Sequence, residues 1–103
     1  MGRSEILFNY RQAISQAEKL EDTARRIDRL ADDRMGETIS SLKAAWQSDS
    51  SPQFYSKMSQ VQSDIRTHAE NIRKVADSIR ETAEEIKRAE LRALEIAKRR
   101  DYD

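Results

Sequence analysis

The chain has 103 residues, enough for one domain, and its hydrophobic and charged residues each make up 37%, a balance too polar for a thick globular core and too regularly spaced for disorder. Nineteen basic residues offset nineteen acidic ones, so no attraction of the whole chain to nucleic acid or anionic lipid is expected. Without cysteine, disulfides, thiol catalysis and most structural zinc sites are excluded, and no apolar run has the length for stable membrane insertion.

A first helix is predicted over about residues 4–46. Ser4 caps it and Glu5 sits in its first turn. Its apolar residues follow a three-four spacing, Ile6, Tyr10, Ala13, Ala17, Leu20, Ala24, Ile27 and Ala31, which is a heptad seam. Between Leu30 and Met35 the register shifts, and the pattern resumes at Met35, Ile39, Leu42 and Trp46, as a four-residue stutter would make it. Gly36, beside the shift, reads as a tolerated weak point that costs about 1 kcal/mol against alanine.

Turn chemistry then interrupts the helical pattern over about residues 47–51. Pro52 lacks an amide donor and has φ near the helical value, which suits the first turn of a helix and not its interior. Ser51, Ser50 or Asp49 is placed to cap the amides that follow.

The second helix is predicted over about 52–98, with a short tail at 99–103. Its stripe is Phe54, Met58, Val61, Ile65, His68, Ile72, Val75, Ile79, Thr82, Ile86, Ala89, Ala93 and Ile96, broken in apolar character only by His68 and Thr82. Folding the chain back at the turn pairs seam residues whose numbers sum to about 100: Leu42 with Met58, Ile39 with Val61, Ile27 with Ile72, Ile6 with Ala93. The spacing therefore predicts an all-α protein, one antiparallel two-helix hairpin spanning 1–103.

Leu7, Phe8, Ile14, Leu30, Leu91, Leu94 and Tyr55 lie off this seam, and a hairpin gives each helix only one neighbour. A second apolar face toward the open end, carried by Leu7, Ile14, Leu91 and Leu94, is expected to pack on another hairpin, giving a four-helix bundle or a longer coiled-coil assembly. The alternative is a broad stripe used within the chain. Trp46 and Phe54, at the turn, either plug the end of the seam or anchor a partner.

Chemistry is sparse. His68 is alone and is expected to pack near Ala31 and Asp32, where protonation below about pH 6.5 would alter packing. Glu81, Glu84 and Glu85 are interspersed with Arg80, Lys87 and Arg88 and read as ion pairs on a solvated face. Arg25, Arg26, Arg29 and Arg34 are interleaved with acids and make a poor nucleic-acid site. With no phosphate loop, nucleophile elbow or metal-ligand set, no catalytic residue, cofactor or metal is expected.

Two long helices with a Trp at the central turn, in a chain of this length, resemble the WXG-type (ESAT-like) small proteins of bacterial type VII secretion. The motif stands here as Trp46-Gln47-Ser48, with Ser48 where that family has Gly. Its tail signal, a Tyr followed four residues later by an acid, does not fit after Tyr102, so an export signal is absent, cryptic or supplied by a partner. The resemblance implies a non-enzymatic hairpin, cytoplasmic before export and secreted without a signal peptide. It would act as a homodimer or with a helical partner, either another small hairpin or the N-terminal helical domain of an LXG-type effector, presented to the secretion ATPase. The LXG-associated subset fits best. The competing reading is an intracellular, self-assembling coiled coil in which Trp46 only seals the turn.

Overall fold

A computed structural model describes residues 1–102, with side chains through Arg100. Three α-helices account for nearly all of it: α1 (Arg3–Arg29), α2 (Gly36–Ala45) and α3 (Ser51–Tyr102), with a π-helical turn at Leu30–Met35 joining α1 to α2. The first helical bond of α1 runs from the Ile6 amide to the Gly2 carbonyl at 3.1 Å, so Gly2 holds the cap position expected of Ser4. α3 continues as helix through Tyr102, so residues 99–102 of the expected tail are helical, and Asp103 lies outside the described residues.

The chain divides into two compact units, one built from Met1–Leu20 and Lys74–Asp103 (the terminal unit) and one from Glu21–Arg73 (the turn unit). In the terminal unit α1 runs antiparallel to α3: Tyr10 meets Lys87, and Ile6 lines a groove with Ala93, Leu94 and Ala97. In the turn unit Asp28 pairs with Arg73, Asp32 with Arg66, and Leu42 with Tyr55. All of these contacts lie close to the expected fold-back register.

Which residues fill the seam differs from expectation on α3. In the turn unit the buried side chains include Ala24, Ala31 and Ala69, and in the terminal unit Ile6, Ala17, Ala76 and Ala83. His68, Val75 and Thr82 are instead exposed, as are Val61, Ile86, Ala89, Ala93 and Ile96. At positions 68, 75 and 82 of α3 the residue after the expected one, Ala69, Ala76 or Ala83, is the buried one. The physical reason is size: alanines seven residues apart let two backbones approach closely, and the spacing between helix axes follows the side chains at the contact. The larger Ile65, Ile72 and Ile79 flank that line and are half-buried. His68 is exposed rather than packed on the seam as expected.

The register shift falls where the sequence places it but has another cause. Alanines 17, 24 and 31 keep a seven-residue step, and the next buried residue is Ile39, eight on. The π-turn houses one extra residue and so accounts for this step, although in the sequence pattern alone a stutter leaves the same gap. The half-buried Gln62 amide donates to the Ala31 carbonyl at 2.5 Å, so α3 braces the irregular turn.

Candidate partner-binding surfaces

Turning α3 toward its alanines leaves part of the apolar stripe without a neighbour. In the terminal unit, Ala13, Val75, Ile79, Thr82, Ala83 and Ile86 line an open groove of about 480 Å³, edged by Lys74 and Ser78. Val75 is 53% exposed and Ile86 51%. A contiguous apolar patch of this kind, rimmed by polar groups, marks an interaction site more often than scattered single residues do. Sequence reasoning missed it by assigning Val75, Ile79, Thr82 and Ile86 to the intramolecular seam. The signal was the alanine at every seventh position, 69, 76 and 83, immediately after the residues chosen.

The partner-binding candidates named from sequence are placed otherwise. Leu7, Ile14, Leu91 and Leu94 are all half-buried. Leu94 lines a second groove of the terminal unit with Met1, Ile6, Ala93 and Ala97. Phe8 and Leu30, also off the expected seam, are exposed.

Across the terminal unit's helix pair, polar contacts fix the register. The Lys87 ammonium lies 4.1 Å above the centre of the Tyr10 ring and 3.1 Å from a Glu84 oxygen. Arg88 reaches the other Glu84 oxygen at 3.2 Å. The hydrogen bond from Lys87, followed by that from the Tyr10 hydroxyl, holds the Glu84 carboxyl below its ordinary value. In the turn unit, Arg66 Nε donates to Asp32 at 2.6 Å and Arg73 pairs with Asp28. Asp28 hydrogen-bonds to the Arg73 guanidinium and raises its already high pKa. Exposed pairs of this sort contribute about 0–1 kcal/mol each, so they set register while close packing supplies most of the stability.

The turn unit ends in an aromatic cluster. Trp46 leaves α2 with extended backbone (φ −124°, ψ 106°), its amide bonded to the Leu42 carbonyl at 2.7 Å. The Trp46 and Phe54 ring centroids are 5.1 Å apart, Phe54 and Tyr55 5.7 Å, and Trp46 and Tyr55 6.3 Å, in the tilted and edge-on geometries aromatic pairs prefer. The Tyr55 hydroxyl lies 2.7 Å from both the Leu42 and the Trp46 carbonyl, so it caps the carbonyl end of α2 from the facing helix. Tyr55 had looked like a residue without a place to pack. Phe54 is half-buried, whereas Trp46 stays 40% exposed.

Ser48 needs no glycine-type backbone, because no described residue has a positive φ. Serine chemistry builds the turn: the Ser48 amide donates to the Ser51 hydroxyl at 2.7 Å, and the Ser51 amide to the Ser48 carbonyl at 3.1 Å. Ser51, 3% exposed, therefore reaches back to the turn, in place of the forward cap expected of it. Gln47 is exposed and continues the chain between Trp46 and this serine box.

Among the described residues, no group of His, Cys, Asp or Glu is gathered to hold a metal ion, and no helix is long and apolar enough to cross a membrane. Comparison with known proteins finds no matching family model, curated protein or solved structure. The fold alone defines the class, an all-helical chain with two long helical runs paired antiparallel within each unit.

Proposed function

We propose that the chain is a non-enzymatic helical partner in bacterial type VII secretion. It binds the N-terminal helical domain of an LXG-type effector, or another small hairpin, as half of a four-helix bundle, and helps present that partner to the secretion ATPase. The observation that carries this reading is the uncovered groove of the terminal unit, apolar along Val75, Ile79 and Ile86 and floored by Ala13 and Ala83. An apolar helix of a partner fills such a groove at i, i+3, i+4 and i+7 positions. The half-exposed Trp46 beside Phe54 supplies an aromatic anchor in the turn unit, of the type that dominates interface hot spots.

A self-assembling coiled coil is the second reading. It draws on the same groove and on a net charge of zero, which lets two copies meet without repulsion. Co-expression with a tagged LXG effector helical domain separates the two. Val75→Glu and Ile86→Glu place a carboxylate in the interface, which costs enough to weaken capture roughly 100-fold while unfolding midpoints stay unchanged. Capture of both variants at the wild-type level would refute the groove as the partner site.

A further inference from the structure

We propose that the π-turn at Leu30–Met35 is a register device: it stores one extra residue in the first helical run, and Gln62 is the latch that retains it there. The inference concerns the turn unit alone and stands apart from which partner its tip meets.

The sequence after the π-turn makes sense only with that residue stored. Met35, the last residue of the turn, and then Ile39, Leu42 and Trp46 stand at helical spacing, and Ile39 is buried where it meets the rest of the unit. Were Leu30–Met35 ordinary α-helix, everything after it would rotate by about 100°, the step of one residue. Arg34, Thr38, Ser41 and Ala45 would then take the inward positions. Ile39 would leave the seam, and the Leu42 and Trp46 carbonyls would leave the Tyr55 hydroxyl that now caps them. The extra residue would pass into the 47–50 loop, so the orientation of Trp46 is set at the π-turn, more than ten residues away.

Gln62 is the group placed to decide between these registers. On α3 it holds the position seven before Ala69, where a small apolar residue continues the seam elsewhere. Its amide instead donates to the Ala31 carbonyl inside the π-turn, and it lies 3.8 Å from where a Cβ on Gly36 would stand. A side chain inserted into the helical ladder is one of the few causes that hold such an irregularity in place. Arg66, one residue-turn further on, adds the Asp32 contact on the same segment.

Amide hydrogen exchange on the full chain tests this, with Gln62→Ala in two backgrounds: the native sequence and one lacking Asp33, which removes the stored residue and brings Ala31 and Ile39 to a seven-residue step. In the native background, Gln62→Ala is expected to speed exchange of residues 37–46 about fivefold to tenfold, the effect of losing one hydrogen bond, with α3 amides of residues 63–72 unchanged and Trp46 emission shifted to the red. In the deletion background the same substitution is expected to change exchange less than about twofold. Equal acceleration in both backgrounds, or none in the native one, would overturn the latch.

Discussion

Two single positions separate the alanine-centred seam from the one that hydrophobicity suggests. Ala69 is fully buried, so Ala69→Leu forces a large side chain between close backbones and is expected to cost about 1–3 kcal/mol in urea unfolding. Val75 is more than half exposed, and Val75→Ala is expected to stay within about 0.5 kcal/mol. A reversed order of the two would restore the Val75 seam. Gly36 has helical backbone (φ −59°, ψ −45°) and ordinary contact space for a Cβ, 3.8 Å from the Gln62 amide. Gly36→Ala is therefore expected to raise stability by roughly 0.5–1 kcal/mol, read as a higher thermal midpoint. Glu84 gives a pH dependence with a defined sign. Its carboxyl titrates lower in the folded chain, held by Lys87 and then Tyr10, so the unfolded chain binds more protons as the medium is acidified. The resulting stability is present above the ordinary carboxylate value of 4.5 and is lost as pH falls through the lower folded value. Glu84→Gln is expected to flatten the slope of midpoint against pH below 4.5 and leave it unchanged near neutrality.

Among the elements, the join of α2 to α3 rests on a few identifiable groups. Tyr55→Phe keeps the ring in the aromatic cluster and removes only the donor facing the Leu42 and Trp46 carbonyls. It is expected to cost about 1 kcal/mol and to speed amide exchange in the last turn of α2, measured by hydrogen exchange. The two helical runs, the turn before Pro52 and the fold-back register were legible in the sequence because each rests on local chemistry or on periodicity. The rotation of α3 was not, since a ranking by hydrophobicity prefers Val75 and Ile86 to Ala76 and Ala83, while packing distance prefers the reverse. Ala17 and Ala24 were found because no larger apolar residue stands beside them, and Ala31 because it continues their seven-residue step even though Leu30 is adjacent. Gln62 and Tyr55 were missed for a related reason: each bonds a backbone carbonyl of the facing helix, an acceptor that no side-chain pattern reveals. The extra residue in the π-turn left a trace, the eight-residue step from Ala31 to Ile39, but a stutter leaves a similar gap in the pattern.

For the molecule as a whole, the groove along Val75, Ile79 and Ile86 is left uncovered by the chain's own helices, and its occupancy distinguishes the two proposed readings. Trp46 contributes to the first reading only if the tip is met by something other than this chain. The most direct measurement is molar mass by light scattering coupled to gel filtration, on the protein alone and co-expressed with an LXG-type effector's helical N-terminal domain. A monomer or a weakly associating species is expected alone, and on co-expression a stoichiometric complex that the Ile86→Glu substitution abolishes. A tight homodimer that ignores the effector domain would contradict the secretion-partner reading.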